Sequence, residues 1–241
     1  MRAYVLVHGG AHGGWCYQRV ARLLRAAGHE VHTPTMTGVG ERSHLLRPDL
    51  DLDFHINDIV QVLQYEDLSD VILVGHSYGG MVITGVADRA TERLGALVYL
   101  DAVHPNNGQS LVDYAGPSIL ATRPFGRVTD GIELVLLPEM KHYYGVEDPA
   151  DQAWMAERLT GHPWKCFEQP LRLTNEAAMR EIPEYHIVCS STVPDRVERE
   201  PDVMAKARAE DRLWEIDTGH DLMITEPQAV ADALLQVAAS S

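Results

Sequence analysis

Cysteine is scarce in this chain. Its three copies, Cys16, Cys166 and Cys189, are odd in number, far apart and never spaced as Cys-x-x-Cys. That pattern offers no disulfide framework, redox motif or zinc site, and it suits free thiols in a reducing cytoplasm. Long apolar runs are also missing. None approaches the roughly 20 residues that cross a bilayer, so a soluble protein is expected. Positive charge is short as well: 20 Lys and Arg against 35 Asp and Glu leave a formal charge of −15 at pH 7. Such a chain repels nucleic-acid phosphates and anionic membranes. The first residues, Met1 to His8, run straight into a strand-like stretch without a charged-then-apolar leader, so a cytoplasmic location is expected. No repeat or low-complexity tract interrupts the 241 residues, a length that suits one α/β domain with an inserted subdomain.

What is present is organised around Val71-Ile72-Leu73-Val74-Gly75-His76-Ser77-Tyr78-Gly79-Gly80-Met81. Four apolar residues, rich in β-branched types, read as a buried strand. Gly75 and Gly79 flank Ser77 and allow a sharp, strained strand-to-helix turn that presents the serine at the strand's carboxyl end. The next helix's first free N–H groups favour negative charge there. Around this stretch, short apolar runs alternate with helical patterns. Strands are predicted at Tyr4–Val7, Val31–Thr33, Val71–Val74, Ala96–Leu100, Tyr185–Cys189 and Leu213–Ile216. Helices are predicted over 16–27, 53–65, behind Ser77, over 203–209 and over 227–239. The alternation implies a parallel sheet covered on both faces. Between His104 and Pro183 the strand rhythm stops. Helical pieces around Leu111–Leu120, Leu134–Leu136 and Gln152–Leu159 suggest an inserted helical cap, residues 104–183.

A serine hydroxyl needs a base within hydrogen-bond reach, and the base needs an orienting acid. Of twelve histidines, His220 is the best placed, between the last strand and the last helix. His76 is expected to pack or bond beneath the turn, His8 to position the glycine loop and His12 to shape that loop, with His104 and His142 at the cap or rim. An oxyanion needs two backbone N–H donors. Tyr78, just after the serine, and Gly10, in the loop after the first strand, are the candidates.

Four stretches together carry a resemblance: His-Gly-Gly-x-His-Gly-Gly-Trp (8–15), Gly-His-Ser-Tyr-Gly-Gly-Met (75–81), Leu-x-Tyr-Leu-Asp-Ala (97–102) and Thr-Gly-His-Asp-Leu-Met-x-x-x-Glu-Pro (218–227). The chain resembles the α/β-hydrolase superfamily, in its small-esterase and hydroxynitrile-lyase branch, over roughly residues 3–103 and 185–239. The resemblance implies a mostly parallel sheet of about six strands flanked by helices. It also implies Ser77 as nucleophile, His220 as base, and Gly10 and Tyr78 as oxyanion donors. The acid departs from the branch pattern, in which an Asp lies about 28 residues before the histidine; here that position is Thr192. Asp101, at the end of the strand after the elbow helix, is the first choice of acid. Asp195 is the alternative, and a site without any carboxylate is the third reading. Asp221 after the histidine, where hydroxynitrile lyases of the branch carry Lys, favours ester hydrolysis, as does Gly10 where they carry Thr. Ser77 in place of Asp argues against haloalkane dehalogenase or epoxide hydrolase chemistry.

The expected activity is hydrolysis of a small hydrophobic or aromatic ester without cofactor or metal. Tyr114, Phe125, Tyr143, Tyr144, Trp154, Trp164 and Phe167 would either line the pocket or form the cap's own core. A lyase or a cofactor-free oxygenase or decarboxylase on the same Ser/His frame is the rival enzyme. A non-catalytic ligand receptor is the rival from another class. The expected partner is a small-molecule substrate, with a homodimer open as the assembly.

Overall fold

The computed structural model describes residues 1–135 and 143–240. His142 and Leu136, named above, lie outside them. In chain order the strands are β1 (Ala3–Val7), β2 (Glu30–His32), β3 (Val71–His76), β4 (Leu94–Leu100), β5 (Arg127–Thr129), β6 (Ile132–Val135), β7 (His162–Pro163), β8 (Glu184–Cys189) and β9 (Leu213–Ile216). Six of them form one sheet in the order β2-β1-β3-β4-β8-β9, every pair parallel.

Period-two alternation places apolar side chains on both faces of this sheet. Val5, Val7, Val71, Leu73, Leu97 and Tyr99 enter one core with helices α2 (Leu52–Tyr65) and α3 (Gly79–Arg89). Tyr4, Leu6, Ile72, Val74, Ala96, Val98 and Leu100 enter the other, with α1 (Gln18–Ala26) and the helix Pro227–Ser240. Burying each such aliphatic side chain contributes about 1.5–3 kcal/mol, so this double-sided pattern fixes the frame on which the loops sit. α1 stops where Gly28 takes a φ of +88° and its N–H returns to the Arg25 carbonyl, the left-handed ending that glycine favours. No helix among the described residues is long and apolar enough to cross a membrane.

The insertion between β4 and β8 departs from a purely helical cap. Leu111–Ala115 and Pro117–Leu120 are helical, as is Pro149–Ala156. Leu134, however, lies on β6, the centre of a three-stranded antiparallel sheet β5-β6-β7. Its left-handed Asp130 and Gly131 make the hairpin turn between β5 and β6, a two-residue Asp-Gly signal. Past β8 the structure holds a helix that the sequence pattern missed, Val193–Arg199. Pro194 reads as a stiff loop residue, but it occupies the first turn, where its missing N–H costs nothing.

Candidate active site

Ser77 sits between β3 and α3 with a φ of +52°. A serine in this left-handed region is strained, and local contacts hold it there. Its carbonyl accepts hydrogen bonds from Gly80 N (3.0 Å) and Val103 N (3.1 Å). A Cβ at Gly75 would come within 2.6 Å of the Gly79 oxygen, and one at Gly80 within 1.9 Å of the Val103 oxygen. Only glycine allows these backbones to approach so closely. Gly75 follows from the elbow pattern. Gly80 is where the chain leaving β4, just before the insertion, lies directly on the elbow helix.

The structure brings Ser77, His220 and Asp101 together. Ser77 Oγ lies 3.0 Å from His220 Nε2, and His220 Nδ1 lies 2.5 Å from Asp101 Oδ2. A carboxylate accepts only, so Nδ1 carries the proton and Nε2 is free to accept from the serine hydroxyl. Asp195 sits on the helix Val193–Arg199 at the cavity wall and makes no described hydrogen bond to His220.

Asp101 ends β4 with a φ of +41° and is almost fully buried. Thr192 Oγ1 donates to its Oδ1 at 2.7 Å, Arg196 Nη2 donates at 3.3 Å, and the Cys189 thiol donates to Oδ2 at 3.2 Å. Arg196, also buried, anchors its other nitrogen on the Ala102 carbonyl at 2.6 Å. Burial alone would raise the carboxyl's pKa, but the bond to His220, that ring's charge, Arg196 and Thr192 outweigh it and hold the group well below the usual carboxylate range. Burial would likewise lower the pKa of His220, and the bond to Asp101 with its charge reverses the sign, so the imidazole ends above its ordinary value. Thr192, at the position where the branch usually carries its acid, and Arg196, which the sequence did not point to, thus both bond Asp101. They are four apart, hence on one face of a helical turn, a signal available only once the helix is recognised.

Other histidines hold loops. His76 Nε2 donates to the His220 carbonyl at 3.0 Å, and burial pushes its pKa down to about 3. His8 Nδ1 donates to the Gly9 carbonyl at 2.8 Å and its Nε2 accepts from Met36 N. His12 bridges the Gly10 carbonyl (2.8 Å) and the Asp221 carboxylate (3.0 Å). Asp221 is thus a buried tie between the histidine loop and the glycine loop. His104 pairs with Glu184 at 3.3 Å away from the cavity.

A cavity of about 300 Å³ opens over Ser77. Gly10, Tyr78, Asp101 and His220 border it, and Val103, Leu111, Ile119 and Phe167 give it apolar walls. Of the seven aromatic residues of the insertion, Tyr114, Tyr143, Tyr144 and Phe167 line this space. Trp164 is buried in a core cluster, Trp154 packs edge-on against Trp15, and Phe125 is 61% exposed. Beneath the wall, His55, His162 and Cys166 place potential metal-ligating atoms within 4.8 Å of one another. Their hydrogen bonds oppose that use. His55 Nε2 must donate to the Thr37 carbonyl, leaving Nδ1 to accept from the Tyr78 hydroxyl. His162 Nδ1 must accept from Ala11 N, and burial pushes the Cys166 thiol up and away from thiolate. As bonded, both imidazole lone pairs are occupied.

The family model described as "Alpha/beta hydrolase family" matches residues 4–233. The chain belongs to the alpha/beta hydrolase family. It is 37% identical over 247 residues to the carbendazim hydrolyzing esterase of Nocardioides sp. (strain SG-4G), covering 97% of this chain and 98% of that relative. It is 25% identical to methylesterase 1 of Arabidopsis thaliana, over 98% and 95% of the two chains. Among solved structures, an extracellular alpha/beta-hydrolase from a Paenibacillus species matches with a TM-score of 0.82 at 23% identity, over 98% of each chain. A methylesterase from Arabidopsis matches with a TM-score of 0.77, also at 23% identity, over 100% of each. These two likenesses are in fold. Ester hydrolysis is the reaction class of this alpha/beta hydrolase.

Proposed function

We propose that the protein hydrolyses a small, apolar or aromatic ester through an acyl-enzyme on Ser77. The observation that carries this reading is the continuous relay from Asp101 through His220 to Ser77 at 2.5 and 3.0 Å, opening on a cavity with apolar walls. His220 takes the proton from Ser77 as its oxygen attacks the ester carbonyl. The Gly10 and Tyr78 N–H groups receive the charge that develops on the carbonyl oxygen, and the imidazolium rests against Asp101. His220 then protonates the departing alkoxide, and water attacks the acyl-enzyme by the same route. The insertion, residues 104–183, serves as the cap, giving the site its apolar walls. Relatives named methylesterases support a methyl ester, and the size of the cavity supports a compact acyl group. The charge of −15 supports a small-molecule substrate over a polyanion.

The test is a fluorophosphonate label with mass spectrometry, alongside hydrolysis of 4-nitrophenyl acetate by Ser77→Ala. The adduct should map to Ser77, and the variant should lose at least about 10³-fold in kcat. A variant that keeps a useful fraction of turnover would show that His220 works as a base without acyl transfer.

A further inference from the structure

The glycine loop is gripped by the insertion. Ala11, beside Gly10, has a φ of +65°. Thr160 N donates to the Ala11 carbonyl at 3.0 Å, and Ala11 N donates to His162 Nδ1 at 3.2 Å. His162 lies on β7 and is wholly buried. Its ring stacks on Phe167 at 4.5 Å between centroids and meets the Tyr78 ring edge-on at 4.8 Å. One imidazole therefore touches Ala11, the neighbour of Gly10, and Tyr78, while Gly10 and Tyr78 are the residues that would supply the oxyanion donors.

The peptide planes show what this grip does. A peptide N–H points opposite to the C=O of its own plane. The Gly9–Gly10 plane is fixed by His8, which holds the Gly9 carbonyl; the Gly10 N–H lies on the far edge of that plane, and Gly10 lines the cavity. The Gly10–Ala11 plane is fixed on both edges, its carbonyl by His12 and its N–H by His162. Two successive glycines would otherwise rotate freely. His162 is suited to a constant role. Burial pushes its pKa well below the ordinary imidazole value, so the ring stays neutral, with the proton on Nε2 and a lone pair on Nδ1.

We propose that His162 is a positioning residue of the oxyanion hole: by holding the Ala11 N–H it fixes, together with His12, the Gly10–Ala11 peptide, the plane next to the one that carries the Gly10 N–H, and so adds to His8's hold on the direction of that N–H. The insertion thereby contributes to the rate of turnover as well as to the shape of the cavity. This rests on the serine-hydrolase reading above.

The experiment compares His162→Asn, whose Oδ1 can accept from Ala11, with His162→Leu, of similar shape but without an acceptor. The substrate is 4-nitrophenyl acetate. The inhibitors are trifluoroacetophenone, which forms a tetrahedral adduct on serine, and acetophenone, which binds only as the ground-state ketone. For the Leu variant, kcat should fall about ten- to a hundredfold, with KM within about threefold. Its trifluoroacetophenone Ki should rise in step with the fall in kcat, with acetophenone binding unchanged. The Asn variant should recover most of the loss. Equal behaviour of Leu and Asn, or parallel weakening of both ketones, overturns the proposal. If the Leu variant does not fold, the ¹⁵N spectrum of the wild-type ring decides: Nδ1 unprotonated and scalar-coupled to the Ala11 amide supports the proposal, and a protonated Nδ1 overturns it. Ser77→Ala separates the two readings. If it retains wild-type turnover, the serine-hydrolase reading falls. If it is inactive while the Leu variant matches wild type, only the role of His162 falls.

Discussion

At the scale of single residues, the chemistry turns on which carboxylate serves His220. Asp101 meets Nδ1 directly, and its charge keeps the proton on the nitrogen facing away from Ser77. Asp101→Asn removes the charge and can turn the imidazole to the wrong tautomer, so kcat should fall about 10³–10⁴-fold. Asp195→Asn should cost less than about tenfold on the same assay. The pH profile carries the same information. Turnover requires neutral His220, whose pKa is raised by Asp101 against the opposing effect of burial. In the wild type kcat/KM should therefore climb with pH through a midpoint above about 6.5. In Asp101→Asn burial is no longer outweighed, and the residual activity should titrate at lower pH. A profile that does not move between the two proteins argues against Asp101 as the partner. The sequence left this choice open for a physical reason: residues 101 and 220 meet only through the fold, and no local pattern reports a contact between such distant positions.

At the scale of elements, the parts that were legible are those whose own residues decide their conformation. β1, β3 and β4 announce themselves by compact apolar runs, and the elbow by glycines on either side of a polar residue. The short β5–β6 hairpin escaped because Val128 is 70% exposed and the alternation is too brief to distinguish from a helical turn. The helix Val193–Arg199 escaped because its sequence is polar and carries Pro194. His162 has no local signal at all; its meaning comes from Ala11, on the other side of the cavity wall. The elbow also predicts a fragile joint. Gly80 packs against the chain leaving β4, where an added Cβ would stand 1.9 Å from the Val103 oxygen. Neither backbone can yield without moving Ser77, whose carbonyl takes the Val103 N–H. Gly80→Ala should lower unfolding free energy by about 3 kcal/mol, measured by urea titration; a loss below about 0.5 kcal/mol would sink the idea that this approach is fixed.

At the scale of the whole molecule, buried neutral imidazoles make the fold sensitive to acid. Burial pushes His8, His76 and His186 each down to about 3, against about 6.5 in an unfolded chain. Between those values the unfolded state binds more protons, so stability falls as pH drops below 6.5, by on the order of 1.4 kcal/mol per pH unit for each ring. His220 and His104 have raised values and act in the opposite sense, losing their contribution as pH rises above 6.5. The urea midpoint should therefore be highest near neutrality and drop steeply between pH 6 and pH 4.5; a flat response over that interval contradicts the buried-neutral assignment. The position of the acid has a different kind of consequence. β3 and β4 are paired neighbours, with His76 opposite Leu100, so Ser77 and Asp101 leave the sheet side by side on one rigid ribbon. The loop after β8, where the branch this chain resembles usually carries the acid, has Thr192 at that position, and Thr192 and Arg196 both bond Asp101; under the proposed reading the loop need not present a carboxylate. Its exposed positions are free to drift, and a laboratory library confined to residues 190–199, sparing those two, offers a route to new substrate preferences that leaves the reaction machinery in place.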